Sequence, residues 1–436
     1  MLAFATNCTP SSSPRPKTPT VYIGGIQVDE PDHHTWLKAF REAELDTVQA
    51  TVYAKQGDWD TAHLWWSKEE PGVEAEIHRA KRAGLRVVLV LRVALDHGYP
   101  KNRFLWHGLI SPRSTAALDA WFLAYGHFVA IWAEKAEALG VDVLAIGSEM
   151  SALTSTRHRS EPSDLLRFYL DEDVRARFRR ELEGFADRIQ PRHLAAAGGQ
   201  GFTNLDNFLA VRSDAWQRWA EGELAPGGTI DDLNRRRERL EQHWRTLITA
   251  ARRLYSGKLT YAANFDQYQE VGFWDALDLI GINAYFPLRE PARLEPATPE
   301  NLRAGWTRIL GKLETFRQRE GLTSHRVLFT ELGYVARTNC TLQPWSQAGF
   351  DVLGPKTRRT LFIWEDQPFD RTERTRAVEA LHRTLADFPG LFAGALYWKL
   401  SSQQSHETIE PFAVIVNRTP PDPLVRALVE LKDGVR

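Results

Sequence analysis

Cysteine is almost absent. Cys8 and Cys340 are the only two in 436 residues, so no disulfide framework and no cysteine-based metal site follows. Methionine is equally scarce, at two. Charge of one sign is lacking as well: the net charge is -1 and the pI lies near 6.9, which gives no electrostatic case for nucleic acid or an anionic membrane as partner. Uninterrupted apolar runs such as 128–133 are far too short to span a bilayer. Imidazoles at His33, His34 and His97 lack the spacing of a metal site. The glycines of Gly198-Gly199-Gln200-Gly201 are followed by no Lys-Ser/Thr, which excludes a phosphate loop. No G-x-S-x-G elbow is present to support Ser-His-Asp catalysis. No metal and no organic cofactor is expected.

What is there is a chain able to bury a large core, with 43% hydrophobic residues and 15 tryptophans. Indole faces stack on the C–H faces of sugars, but most of the 15 are assigned to packing. The first twenty residues are rich in Ser, Pro and Thr and read as disordered. Within them, Ala-Thr-Asn-Cys8 before a polar linker looks like the end of a lipoprotein signal, although Asn7 departs from the small residue expected there. Lipid anchoring outside the cytoplasm follows from that reading, and a cytoplasmic location from its alternative.

From residue 21 onward β-patterns and helical patterns alternate. Strands are expected at 22–25, 47–53, 86–93, 142–147, 258–263, 278–283, 326–330 and 393–398, with helices at 35–43, 73–83, 115–139, 240–255, 299–317, 371–388 and 423–431. Gly84, Gly140 and Gly257 stand where helices end, and Pro299 and Pro423 where they begin. Eight β/α units predict a (β/α)8 barrel over residues 21–436. One segment, 151–241, interrupts the rhythm after the fourth strand. Being attached at a strand tip, it is expected on the catalytic face as a folded wall of the substrate groove, with Trp216 and Trp219 either presented to sugar or kept in its own core.

Two apolar runs stop at a carboxylate: VDVLAIGSE ends at Glu149 and RVLFTE at Glu331. Strand tips are where this barrel carries its chemistry. Two carboxyls roughly 5–5.5 Å apart are the apparatus of retaining glycoside hydrolysis. A single such Glu would be read as a rim ion pair; two at matched tips point to catalysis.

Residues 257–288 (GKLTYAANFDQYQEVGFWDALDLIGINAYFPL), with FTELGY at 329–334, Pro344-Trp345 and AIGSEM at 145–150, resemble glycoside hydrolase family 113, of the clan-A retaining barrels. The resemblance implies β-1,4-mannanase chemistry with net retention. It makes Glu149 the acid/base and Glu331 the nucleophile, with Tyr285 holding the nucleophile's carboxylate and Trp398 as floor of the reacting subsite. Asn264 and Asp266 would bind substrate hydroxyls or cap their loop. Trp345 is a candidate sugar platform, as are Trp65, Trp66 and Trp106. Three positions depart from the pattern and leave the mannan specificity open: Ser148 stands where an Asn usually contacts the sugar 2-hydroxyl, Arg92 where a His is expected, and Asn283 where an Asp is common. Arg92 and Asn283 are nevertheless placed with the substrate-binding residues.

The expectation is a monomeric retaining β-glycosidase acting on an oligo- or polysaccharide, without nucleic acid or a membrane span. Its rivals are an exo-acting glycosidase or transglycosylase on another sugar, and a carbohydrate-binding barrel without activity. As proton donor, Glu149 is expected to titrate above an ordinary glutamate.

Overall fold

The computed structural model describes residues 20–66, 70–162, 166, 171–184, 186–224, 229–290, 295–346, 350–352, 361–363 and 366–435. Cys8 and the Ser/Pro-rich N-terminus lie outside these residues. Eight strands, here β1 (Tyr22–Gln27), β2 (Thr47–Gln56), β3 (Arg86–Leu95), β4 (Val143–Ser148), β5 (Lys258–Asn264), β6 (Leu279–Ala284), β7 (Arg326–Leu332) and β8 (Phe392–Ser401), pair in parallel with their sequence neighbours. β1 also pairs with β8, from Tyr22↔Gly394 to Gln27↔Leu400, and closes the barrel. Helices cover its outside, which is the expected (β/α)8 fold.

Alternation along the strands divides two cores. Val88, Val90, Val143, Ala145, Ala262, Leu279, Leu328 and Leu396 form one buried cluster, consistent with the barrel interior. Val87, Leu89, Leu91, Ile280 and Phe329 belong to the larger core shared with the helices. Gly24 shows how tightly the strands close: a Cβ there would lie 1.8 Å from the Thr47 carbonyl oxygen.

The helices confirm most of the local signals. Gly84 and Gly140 adopt left-handed φ of 77° and 66° just past their helices. Gly257 does not serve that way, since helix Ile230–Leu254 ends on an extended Tyr255. That helix also corrects the insertion boundary. It begins at Ile230, ten residues before the expected start, behind a capping box of Thr229 and Asp232. The segment 151–241 therefore includes twelve residues of a barrel helix. Helix Thr115–Ala138 is long and apolar enough, by length and composition, to cross a membrane. Counting uninterrupted runs missed it. Its Trp121, Tyr125, Phe128 and Trp132 are buried in the protein core.

Among the described residues the rest of the insertion includes helices Ser151–Thr154, Glu172–Glu183, Pro191–Ala196 and Leu205–Leu224. It is fastened to the loop that follows β3. Trp219 Nε1 donates to the Leu109 carbonyl at 2.9 Å, Arg103 donates to the Gln200 carbonyl at 2.9 Å, and Phe104 packs on Phe202 and Phe208. Trp216 and Trp219 are both buried, so packing, not display to solvent, occupies them.

Gly24→Ala forces a methyl into the Thr47 carbonyl and is expected to cost about 1–3 kcal/mol. Chemical denaturation should show a lower midpoint at unchanged slope; a midpoint equal to the parent's would show that the strands can separate without loss.

Candidate active site

Two irregularities turn the carboxylates toward the cleft. Between β4 and β5 the register runs Ala145↔Thr260 and then Ser148↔Ala262, three residues against two. Between β6 and β7 it runs Ile282↔Phe329 and then Asn283↔Glu331, one residue against two. Each extra residue reverses the in/out alternation at the strand's end. Ser148 and Glu331 thus share the inner side with Ala145 and Leu328. Glu149 follows directly with a left-handed φ of 51°, a conformation rarely adopted by residues other than Gly, Asn and Asp. Its N–H is held by the Ala262 carbonyl at 2.9 Å.

Arg92, at the same inner side of β3, is the hub. It is buried and forms an ion pair with Glu331 while donating to Ser148 Oγ at 3.0 Å. Burial alone would weaken its charge, but the carboxylates of Glu331 and Glu149 more than offset this and keep the guanidinium protonated. Tyr285 Oη donates to the other Glu331 oxygen at 2.6 Å. Both oxygens of Glu331 are therefore oriented. Trp398 lies 5.6 Å from the Arg92 guanidinium, across a cation–π contact, and is joined to Lys399 by a cis peptide.

Glu149 has a different neighbour, which the sequence did not disclose. His107 Nε2 lies 3.0 Å from its Oε2. His107 sits in a single turn, His107–Leu109, on the loop that the insertion clamps. A polar loop residue with no periodicity carries no sequence signal for this.

The charge balance reverses one expectation. Burial pushes the Glu149 carboxyl up, but the His107 hydrogen bond and the Arg92 and His107 charges outweigh it and bring it down to about 2. Glu331 shifts the other way: burial and the Glu149 charge raise it more than Arg92 and Tyr285 lower it. In the unliganded site Glu149 is thus held as a carboxylate.

The remaining candidates separate. Asn283 is fully buried, accepting from Thr330 Oγ1 at 2.8 Å and donating to Ser148 Oγ at 3.4 Å. It braces the floor and is not open to a ligand, contrary to its expected place on substrate. Ser148 is equally buried, so its hydroxyl serves Arg92 and does not reach for a sugar. Asn264 caps its own loop through Phe265 N–H at 2.9 Å. Asp266 faces the open cleft, and the surrounding protein and the Glu149 charge push its carboxyl up. Trp345 is 41% exposed and stacks on Phe265, which leaves one indole face available. Trp66 packs on Phe128 in the core, whereas Trp65 groups with His63 and Tyr99. His33, His34 and His97 take no part in this cluster. Among the described residues no group of three or more His, Cys, Asp or Glu is arranged to hold a metal.

Two substitutions probe this geometry. Tyr285→Phe removes a hydrogen bond to a buried carboxylate, worth ~1.5–3 kcal/mol, and should lower kcat about 10- to 100-fold in a protein that still unfolds cooperatively, with Tm lowered by a few degrees at most. A loss under twofold would deny Tyr285 a role in orienting Glu331. His107→Ala removes the main influence lowering Glu149, so the alkaline limb of kcat/KM should move to higher pH. A limb that stays in place, or moves down, would show that His107 does not hold the Glu149 carboxyl down.

The model of Glycoside Hydrolase Family 113 matches residues 29–167 and 231–359, more than half of the chain. The unmatched stretch between them, 168–230, is the middle of the insertion and ends at the observed start of helix Ile230–Leu254. No curated protein sequence matches the chain. Among solved structures, the family 113 β-mannanase AaManA from Alicyclobacillus acidocaldarius is 17% identical, with 94% of this chain and 98% of that chain covered at a TM-score of 0.55. A family 113 β-1,4-mannanase in complex is 15% identical over 95% and 99% of the two chains, at a TM-score of 0.58. These likenesses are of fold. The extent of the family match carries the assignment: the chain belongs to glycoside hydrolase family 113.

Proposed function

We propose that the protein hydrolyses a β-linked, mannan-like glycan with net retention, Glu331 acting as nucleophile and Glu149 as acid/base. The observation that carries this reading is the pair of opposed environments at the tips of β7 and β4. Glu331 is buried, with one oxygen on Arg92 and the other on Tyr285. A carboxylate held at both oxygens can be aimed at an anomeric carbon without searching rotamers. Glu149 is bonded through its carboxylate to His107 and Asn283, and its side chain keeps 12% exposure, the place for a group that must exchange protons with a leaving oxygen and then with water.

In the first step Glu331 attacks the anomeric carbon while Glu149 protonates the departing oxygen, giving a glycosyl ester. In the second, Glu149 as carboxylate takes a proton from water, which displaces Glu331 with a second inversion. Arg92 offsets the negative charge left when Glu331 is released. Substrate binding that displaces water from around Glu149 penalises its charged form and favours its protonation for the first step.

Early product analysed by proton NMR should be the β-anomer. Glu331→Ala should lose at least about 10³-fold in kcat, with azide restoring turnover on an activated aryl glycoside as the α-glycosyl azide. Initial α-anomer from the parent enzyme, or near-parental turnover by Glu331→Ala, would contradict the assignment.

A further inference from the structure

Beside Glu149 a cavity of about 630 Å³ lies between the loop after β3, the insertion helix Leu205–Leu224 and the first turns of helix Ile230–Leu254. Its lining includes near neighbours of the acid/base. Ser151 follows Glu149 by two residues, Trp106 precedes the His107 that bonds it, and Asp266, within reach of its charge, lines the same wall. A general acid protonates the leaving oxygen, so the sugar next to Glu149 on this side is the leaving one.

The cavity wall is suited to a sugar and holds a cation that, among the described residues, has no carboxylate in contact. Trp106 offers a half-buried ring, and the buried Ser151 hydroxyl has no protein partner. Arg237, 7% exposed, donates to Asn234 Oδ1 at 3.0 Å, which leaves most of its five N–H donors open. Among the described residues no carboxylate forms an ion pair with it. Glu270, engaged by Arg159 at 2.7 Å, and Glu223 on the facing helix act on Arg237 only through space, with the Arg159 charge opposing them. Arg236 is turned away to Ser111 and the Pro112 carbonyl. A buried guanidinium without a carboxylate is costly, and its planar fork matches a carboxylate bidentately.

We propose that this cavity is a leaving-group subsite for a sugar bearing a carboxylate, such as a uronic acid residue, with Arg237 as its counter-charge. The subsite rests on the glycosidase reading with Glu149 as acid/base. Trp219 and Glu223 come from the stretch unmatched by the family model, so the subsite would be this chain's own elaboration of the barrel.

The test compares a β-linked oligosaccharide carrying a uronic acid on its leaving-group side with the same compound reduced at the carboxyl, and with a sulfated counterpart. The parent enzyme should favour the acid by about tenfold or more in kcat/KM. Arg237→Met should bring that ratio to about one, and Arg237→Lys should keep part of it. A parental ratio near one, or an Arg237→Met protein with a parental Tm and an unchanged ratio, overturns the proposal. Equal preference for the sulfated compound overturns the carboxylate assignment in favour of a general anion subsite. A small neutral aryl glycoside is assayed in parallel. Absence of turnover on every compound would sink the glycosidase reading, and calorimetric binding of the acid and its reduced form to parent and Arg237→Met would then decide the subsite by the same ratios.

Discussion

The site depends on one buried cation. Arg92 stands at the inner end of β3 with Glu331 on one side and Ser148 on the other, and its charge acts on Glu149 as well. Without it two carboxylates would face each other in a nearly dry barrel mouth, where neither could ionise cheaply. Because the guanidinium is planar and always protonated, it fixes position as well as charge. Tyr285 and Asn283 complete the floor. The first binds the free oxygen of Glu331, and the second braces Ser148 from below.

Backbone geometry makes that cluster possible. Regular strands would place Ser148 and Glu331 on alternate sides of the barrel wall from where they are found. The bulges in β4 and β7 reverse both, and each lies immediately before a functional carboxylate. The insertion acts at one remove. By holding the loop after β3 through Trp219, Arg103 and Phe104, it fixes His107 against Glu149 and walls the adjoining cavity.

Much of this was legible beforehand, for physical reasons. Fully buried parallel strands are written as apolar runs, and glycine ends such as Gly84 and Gly140 mark the helices between them. Glu149 and Glu331 stood out because a carboxylate ending such a run has few structural uses. The bulges were not legible, since pairing register is a property of two strands and not of one. His107 was hidden for the same reason: it meets Glu149 across 42 residues of chain. Asn283 could have been read better, because its alternation with Leu279 places it on the inner side, under Ser148. The early start of helix Ile230–Leu254 was masked by a run of Arg and Glu, although Thr229-x-x-Asp232 carried a capping signal.

The central claim is that Glu331 forms a covalent bond to the sugar. Incubation with activated 2-deoxy-2-fluoro-β-glycosides, in manno and gluco configuration, followed by digestion and tandem mass spectrometry, tests it directly. Slow loss of the fluorinated intermediate should leave one sugar per chain, on the peptide of β7 at Glu331. A label on Glu149 or on any other residue, or inhibition without a label, would contradict the account.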